Sequence, residues 1–464
     1  MLQRTCNTIL ALWFIFPFSF GFCEEETFYR DVAIIGGGAS GTFAALKLKE
    51  QGKSIIVIEK ENSLGGHTNT YQDPGTRQTA EYGVQVFHNQ LVVRDLFKRL
   101  NVSWTIAILQ DDPFPPRFLD PKTAEPVHYS SPNATAALGA YAAQLAKYPD
   151  LERGFFLPDP VPEDLLTPFG EFLQKYPDIQ DATFIAFSYG QGLGDYLKQP
   201  TLYVFKNFGL DIVRDISSGF IVTANHNNYD IYARAAEVLQ RDLLLNSIVA
   251  STTQRDDNGV DMNIRTPNGN TRVLAKKLLI TIPPKLENLG HFALDHCESI
   301  TFARFNNTGY YSSLVNNTGL PQNFTAYSVS PDTQQNIPIL PGVYNVVPTS
   351  IDGVFAIKYG SPSSLSDDYV KREIISYVKK LQANGHANPV SGDPTFVAYA
   401  NHDPFELTVS PAEIARGFYR DFYSLQGYRS TWYTGAAFHT QDSSMLWRFT
   451  DSYVLPPLLK SFGS

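Results

Sequence analysis

Three glycines near the N-terminus have the spacing that lets a chain bind a pyrophosphate. Gly36, Gly38 and Gly41 form a G-x-G-x-x-G pattern, and Glu59 follows 18 residues after the third glycine. The first glycine permits a tight turn, the second lets a pyrophosphate approach the backbone, and the third lets a helix pack closely on a strand. The Glu59 carboxylate would accept hydrogen bonds from ribose hydroxyls and would repel a 2′-phosphate. The pattern therefore predicts a binding site for a dinucleotide that lacks this phosphate.

The elements that must position these residues can be read from the same stretch. Apolar residues 32–35 predict a strand, residues 42–51 a helix, and residues 55–59 a second buried strand. Together they predict a β-α-β unit whose glycine turn, with Ser40, opens the helix. The N-terminus of such a helix offers unpaired N–H groups and the positive end of a dipole to phosphates.

The remaining chain alternates between two kinds of pattern. Residues 91–229 predict helices broken by prolines, whereas residues 230–285 predict strands joined by tight turns. We therefore expect an α/β protein with two domains. A Rossmann-type, three-layer domain with a parallel sheet would comprise residues 24–90, 230–285 and 410–464, and a discontinuous α+β substrate domain would comprise residues 91–229 and 286–409.

Composition excludes several classes of function. The 464 residues include 37 Lys and Arg against 46 Asp and Glu, a formal net charge of −9. This balance disfavours a nucleic-acid partner. The aromatic share of 13% suits a bulky apolar small-molecule ligand. Three cysteines are too few for a disulfide framework or a metal cluster, so no metal site is expected, and we expect Cys297 to be buried.

The N-terminus predicts entry into the secretory pathway. Residues 5–23 carry no charge and have an apolar centre, as in a signal peptide comprising residues 1–23. An uncleaved membrane anchor is the alternative, and only then would the protein contact a membrane. The expected location is the ER lumen, the vacuole or the exterior. Five glycosylation sequons agree with this route: Asn101, Asn133, Asn306, Asn316 and Asn323.

Further motifs resemble the flavin-containing amine oxidoreductase family. Gly65-Gly66-His67 is similar to the glycine pair and basic residue that extend the cofactor cradle in that family, and residues 83–88 resemble its segment beside the isoalloxazine. Val249 and Gly435 lie where the family has its adenine-contacting strand and its C-terminal flavin segment. The resemblance implies FAD as the cofactor and an amine-oxidase-like substrate domain. It implies that FAD is bound by Gly36, Gly38, Ser40, Gly41, Glu59, Gly65, Gly66, His67, Gly83, Val249 and Gly435.

The match is closer to one fungal subgroup and departs from the family in one place. The leader, the Gly-Gly-His variant and the pair Tyr310-Tyr311 near several sequons resemble the subgroup typified by beta-cyclopiazonate dehydrogenase. That subgroup implies oxidation of elaborate secondary metabolites, coupled to ring closure. Ala436 stands where the family has an acid, and residues 441–445 replace its usual glycine-rich sequence.

The resemblance leaves the catalytic residues open. Family amine oxidases use a lysine during reoxidation by O2, and Lys358 or Arg304 could take this place, although each could also be a strand residue with its charge in solvent. His67 or His88 could polarise the flavin or anchor it covalently, although His88 could equally be a packed residue. Tyr433, beside Trp432, could guide substrate or pack in the core.

The main hypothesis is an FAD-dependent oxidoreductase that takes a hydride from an allylic, benzylic or amine-adjacent carbon of a bulky apolar substrate. O2 would be the electron acceptor. Three alternatives remain at this stage. They are an amine or polyamine oxidase, a prenyl-thioether (prenylcysteine) oxidase, and a secreted flavoprotein without turnover.

Overall fold

The computed structural model describes residues 26–108, 115–129 and 134–463. The predicted signal peptide and the sequon at Asn133 lie outside these residues. Within the described ranges, none of the helices combines the length and apolar character needed to span a bilayer.

Eighteen strands and sixteen α-helices make up the described chain. The strands are β1 (Thr27–Ile35), β2 (Ile55–Ile58), β3 (Thr70–Gln72), β4 (Thr79–Glu81), β5 (Trp104–Ala107), β6 (Arg117–Leu119), β7 (Phe220–Thr223), β8 (Leu243–Leu244), β9 (Ile248–Asp256), β10 (Gly259–Thr266), β11 (Gly269–Ile280), β12 (Asn306–Asn316), β13 (Ala326–Ser328), β14 (Gly342–Pro348), β15 (Phe355–Ser361), β16 (Thr395–Asn401), β17 (Phe405–Thr408) and β18 (Thr431–Tyr433). The helices are α1 (Ala39–Glu50), α2 (Leu91–Arg99), α3 (Thr135–Leu145), α4 (Glu163–Leu166), α5 (Phe169–Lys175), α6 (Thr183–Tyr189), α7 (Thr201–Asn207), α8 (Leu210–Ser218), α9 (Tyr229–Leu239), α10 (Leu286–Leu289), α11 (His296–Phe302), α12 (Asp367–Ala383), α13 (Pro411–Ala415), α14 (Phe418–Tyr423), α15 (Ser443–Phe449) and α16 (Leu455–Lys460).

The first sheet carries the predicted β-α-β unit. Its strand order is β8-β2-β1-β11-β10-β9, and β18 pairs with the end of β11. Strands β8, β2, β1, β11 and β18 are parallel to their neighbours, whereas β9, β10 and the first part of β11 form an antiparallel meander. Every strand of this sheet comes from the three pieces predicted for the Rossmann-type domain. Parallel strands bring their carboxyl ends to one edge, so this edge positions the glycine turn.

The second sheet belongs to the predicted substrate domain. Its order is β16-β12-β15-β14-β13-β6, with β17 also paired to β12, and only β13 and β6 are parallel. Helix α12 covers one face, where Ile374 and Val378 share a buried cluster with Tyr311 and Ile357. The opposite face turns towards the first domain, where Leu314 shares a buried cluster with residues of β4 and β15. The predicted α/β class is confirmed, with a second domain built on a mostly antiparallel sheet.

The solvent exposure of Cys297 and of the sequon asparagines bears on two of the sequence predictions. Cys297 is exposed, so the expectation that it is buried is wrong. It lies in the first turn of α11, where the next residue, Glu298, turns inward and Cys297 turns outward. Among the described sequon asparagines, Asn101, Asn306 and Asn323 are exposed and Asn316 is half-buried. Glycosylation itself stays a prediction.

Candidate functional site

The glycine turn joins β1 to α1 at the carboxyl edge of the first sheet. Gly36 has φ +99°, a left-handed value that favours glycine, and its N–H donates to the Ile58 carbonyl at 2.8 Å. A Cβ on Gly41 would lie 1.9 Å from the Gly36 carbonyl oxygen. Helix and strand can approach this closely only because residue 41 has no side chain.

Glu59 follows β2 and fixes the backbone of the glycine turn through hydrogen bonds. Its Oε2 accepts from the Gly37 N–H at 2.6 Å, and its Oε1 accepts from the Glu61 N–H at 2.8 Å. The side chain is buried. Each carboxylate oxygen keeps a further lone pair, so the acid can fix the backbone and still accept from a ribose hydroxyl.

The predicted second glycine pair crosses directly over the first turn. The Gly65 N–H donates to the Gly37 carbonyl at 2.9 Å. Gly66, with φ +55°, is so close that a Cβ there would lie 2.9 Å from the Gly38 Cα. The hydroxyl of Ser40 is buried beside this crossing and has no hydrogen-bond partner among the described residues. The Ser40 hydroxyl is thus a free donor at the start of α1, beside two glycines that leave room for a ligand. This arrangement fits a pyrophosphate.

The segment around Gly435 meets the glycine turn at Thr281, a residue whose role has no motif of its own in the sequence. Thr281 donates its hydroxyl to the Ile35 carbonyl at 2.8 Å. A Cβ on Gly36 would lie 2.7 Å from Thr281 Oγ1, and a Cβ on Gly435 would lie 3.0 Å from its carbonyl oxygen. Gly435 has φ +117°. The residue after β11 therefore brings Gly36 and Gly435 together.

Two other predicted cofactor residues lie at the same edge. A Cβ on Gly83 would lie 2.0 Å from the His67 carbonyl oxygen, so the segment after β4 packs against the second glycine loop. Val249 is buried in β9, two residues after Ser247, whose N–H donates to the Glu59 carbonyl at 2.8 Å. The structure thus gathers the predicted glycines, Ser40, Glu59 and His67 around the glycine turn, whereas Val249 pairs with Ile264 in the meander and is linked to them through the Ser247–Glu59 bond.

A cluster of rings lies where the second sheet meets this cradle. The His67 ring centroid is 4.6 Å from that of His402 and 5.8 Å from that of Phe405, which lies 4.8 Å from Tyr310. Burial lowers the pKa of His67 to about 4. Burial, the neighbouring His67 and the Lys358 charge hold the pKa of His402 well below its usual range. Both imidazoles are therefore neutral near neutral pH.

The hydrogen bonds of Ser312 fix the tautomer of His402. The Ser312 hydroxyl donates to the Tyr82 carbonyl, which can only accept. Ser312 Oγ, 3.0 Å from His402 Nε2, must then accept from that nitrogen. His402 consequently carries its proton on Nε2, and Nδ1 retains a lone pair.

Lys358 projects from the same face as Ser312. It lies in β15 directly opposite Ser312 of β12 and Asn345 of β14, and cross-strand partners share a face. Its chain neighbours, Ile357 and Tyr359, pack on the other side against α12. Lys358 is half-buried rather than in solvent. We call Tyr310, Ser312, Lys358 and Asn345 the cofactor-side face.

His88 lies in a buried ion-pair network beside α15. Its Nδ1 is 2.7 Å from Asp215 Oδ2, and its Nε2 is 3.5 Å from Asp442 Oδ2. Burial opposes a charge on His88, but these two carboxylates outweigh burial and raise the pKa of the imidazole. Because carboxylates face both ring nitrogens, the geometry favours the packed alternative for His88.

Two other catalytic candidates also have partners elsewhere. Tyr433 is buried and donates its hydroxyl to Glu298 at 2.8 Å, in the core where Glu298 pairs with Arg255. Arg304 pairs with Glu413 at 3.3 Å. The geometry favours core packing for Tyr433 and a surface ion pair for Arg304. Among the described residues, no cluster of three or more His, Cys, Asp or Glu side chains could hold a metal ion.

A parallel sheet with a glycine turn, an acid after the second strand and a crossing glycine pair defines a dinucleotide-binding protein of the Rossmann type. Residues 34–100 match the model of the NAD(P)-binding Rossmann-like domain. The fold is similar to a fatty acid isomerase from P. acnes that produces CLA, with a TM-score of 0.72, 19% identity, and 92% of this chain and 98% of that chain covered. It is also similar to a putrescine oxidase, with a TM-score of 0.64, 18% identity, and 94% and 100% covered.

Curated relatives show the family. The chain is 40% identical over 451 residues to the FAD-dependent oxidoreductase oblC of Cochliobolus heterostrophus, covering 94% of this chain and 93% of the relative. It is 33% identical over 440 residues to the beta-cyclopiazonate dehydrogenase of Aspergillus oryzae, covering 94% of each. The chain belongs to this family of fungal FAD-dependent oxidoreductases. The cofactor assignment to FAD is thereby confirmed, and the cradle described above fits it.

Proposed function

We propose that this protein oxidises a bulky, largely apolar secondary metabolite at an allylic, benzylic or amine-adjacent carbon and passes the electrons to O2. When bound, FAD supplies a hydride acceptor, and the protein orients the donor carbon. The observation that carries the substrate class is the ring cluster of His67, Tyr310, His402 and Phe405, in which both imidazoles are neutral. A surface formed by these uncharged rings suits an apolar or conjugated substrate.

His402 has a specific part in this proposal. Its Nδ1 lone pair, fixed by the bond from Nε2–H to Ser312, would accept a hydrogen bond from a substrate O–H or N–H. Because burial lowers the pKa of His402, the ring would orient such a group without becoming charged. An internal nucleophile of the substrate would then be free to close a ring after hydride loss.

The face argues against an ammonium substrate. Lys358 places a positive charge beside the ring cluster, and none of the ion pairs in the described chain involves it. An ammonium group would be repelled by this charge. A charged amine is therefore disfavoured at this face, whereas a neutral amine is compatible with it.

Flavin bleaching tests the reaction class. The holoenzyme would be mixed without oxygen with a doubly allylic donor, 2,5-dihydrobenzoic acid, and separately with benzylamine and putrescine. Loss of the yellow absorbance with the doubly allylic donor is expected. Bleaching by the amines alone would overturn the proposal.

Reoxidation tests the acceptor independently of substrate. Holoenzyme reduced with dithionite would be mixed with air-saturated buffer, and rapid return of the flavin absorbance with formation of peroxide is expected. Flavin that stays reduced in air would refute O2 as the acceptor. Failure of both this test and the bleaching test would favour a flavoprotein without turnover.

We also propose that the protein enters the secretory pathway. Exposed Asn101, Asn306 and Asn323 support this, since sugar chains can be added there without disturbing the core. The full chain made in a fungal host should lose mass on treatment with peptide N-glycosidase. An unchanged mass would contradict the proposal.

A further inference from the structure

Two adjacent peptide groups after β4 are held in the same direction by one side chain. The carbonyls of Val84 and Gln85 both accept from Nδ2 of Asn228, at 2.8 and 3.1 Å. These peptide groups are trans, so in each of them the N–H points opposite to the C=O. The N–H groups of Gln85 and Val86, which follow the two carbonyls, therefore both point away from Asn228.

These two N–H groups have no acceptor in the part of the chain that the structure describes. The preceding N–H, that of Val84, donates to the His67 carbonyl at 3.2 Å. Gln85 is exposed and Val86 is half-buried, so a ligand can reach both donors. Two neighbouring N–H groups with a common direction and no acceptor are suited to an oxygen atom that arrives from outside the protein.

The same segment contacts the FAD cradle at both ends. On one side it is bonded to the second glycine loop through the His67 carbonyl. On the other side the Phe87 ring stacks on Trp447, with the ring centroids 5.4 Å apart. The Trp447 Nε1–H donates to the carbonyl of Ala39, the first residue of α1, at 3.1 Å. The two free N–H groups thus lie in the chain between two contacts with the cradle.

The orientation of the Asn228 amide follows from its partners. Peptide carbonyls can only accept hydrogen bonds, so the Nδ2 of Asn228 must face the two carbonyls. Its Oδ1 then accepts from the Thr223 hydroxyl, 3.0 Å away. The backbone N–H of Asn228 donates to Glu81 Oε1 at 2.7 Å.

Asn228 does not have the usual role of an asparagine at its place in the fold. It directly precedes α9, where an asparagine commonly bonds to the first N–H groups of the helix. Its side chain makes no such bond, and it is only 1% exposed. The hydrogen bonds of this buried amide are directed instead at the segment beside the cradle and at Thr223.

We propose that Asn228 is a positioning residue for FAD, which directs the N–H groups of Gln85 and Val86 at a carbonyl oxygen of the isoalloxazine. Reduction increases the negative charge on the flavin ring, so these donors stabilise reduced FAD more than oxidised FAD. Asn228 thereby raises the reduction potential of the flavin. This inference goes beyond the proposed function, since it depends neither on the substrate nor on the electron acceptor.

The reduction potential of the Asn228→Leu holoenzyme tests this role, because leucine has a similar shape but no donor. The flavin would be titrated with dithionite against a reference dye, without oxygen or substrate. The preference for reduced over oxidised FAD should fall by about tenfold, which lowers the potential by about 30 mV for a two-electron couple. The infrared bands of the ring carbonyls should move to higher frequency, since their hydrogen bonds are weakened.

Asn263→Leu is the matched control. Asn263 donates its side-chain amide to Ser251 Oγ at 3.1 Å in the meander, away from residues 84–86. Its potential and carbonyl bands should equal those of the unmodified protein. An unchanged potential in Asn228→Leu that retains FAD would overturn the proposal, as would an equal fall in both variants.

Thr223→Val gives a second test that keeps Asn228 itself. It removes the hydroxyl that holds Oδ1, so the amide is less firmly oriented and the potential should fall in the same direction. If Asn228→Leu loses its flavin, an unchanged potential and unchanged carbonyl bands in Thr223→Val overturn the proposal. The titration uses neither substrate nor O2, so its failure is distinguishable from failure of the bleaching and reoxidation tests.

Discussion

Replacing Glu59 with glutamine tests the cradle at its most tightly defined point. The two carboxylate oxygens accept from two backbone N–H groups, at 2.6 Å from Gly37 and 2.8 Å from Glu61. An amide has one acceptor oxygen, so its NH2 group must face one of these donors. The variant loses one charge-assisted hydrogen bond, worth about 1.5–3 kcal/mol, and gains a donor–donor conflict.

That loss acts directly on the cofactor site, because Gly37 lies in the turn that faces the pyrophosphate. If the full loss appears in binding, the Kd for FAD rises by about 10- to 100-fold. The assay is titration of deflavinated protein with FAD, followed by quenching of flavin fluorescence, with circular dichroism to verify folding. Glu61→Gln is the control, since the Glu61 side chain is exposed and lies 3.7 Å from Lys60. Wild-type affinity in Glu59→Gln would refute the reasoning.

Two further predictions concern the cradle crossing and a buried acid. Gly66→Ala places a Cβ 2.9 Å from the Gly38 Cα, so the purified variant should carry less FAD, whereas Gly75→Ala on the exposed β3–β4 turn should carry as much as wild type. Equal FAD content in both variants would contradict this. Burial raises the pKa of Glu406 from 4.5 to about 7, so the folded protein holds a proton in this window that the unfolded chain has lost. The free energy of unfolding should therefore fall by about 3 kcal/mol as pH rises across the window. Glu406→Gln, which keeps the acceptor for Asn207 at 2.6 Å, should remove this fall in urea unfolding, and an unaltered pH dependence would count against it.

The parts predicted from sequence are those built from neighbours in the chain. The β-α-β unit, the glycine turn and Glu59 lie within a short stretch whose periodicity and turn residues agree. The meander of β9, β10 and β11 is likewise predicted by the turn residues at 256–259 and 267–270. Local order of this kind leaves a visible pattern in the sequence.

The second half of the site depends on long-range register. Ser312, Asn345 and Lys358 meet because three strands pair in one alignment, and a slip of one residue would turn each to the other face. His402 joins them across another 90 residues from Ser312. No local signal specifies such a meeting, which is why Lys358 could be named only as a candidate and Ser312, Asn345 and His402 were missed.

Tyr433 shows a different limit. Strand β18 is buried on both faces, so alternation along the strand does not indicate which side meets the cofactor. The buried Arg255–Glu298 pair, which takes the Tyr433 hydroxyl, is formed by residues far away in sequence. The choice between guiding substrate and packing in the core could be made only from the structure.

The visible absorption spectrum of the purified protein, taken before and after acid precipitation, tests the central claim most directly. A cradle built for FAD predicts bands near roughly 370 and 450 nm, and mass spectrometry of the extracted chromophore, or of the flavinylated peptide if colour remains in the pellet, should identify FAD. A folded, colourless protein that takes up no FAD on titration would contradict the account.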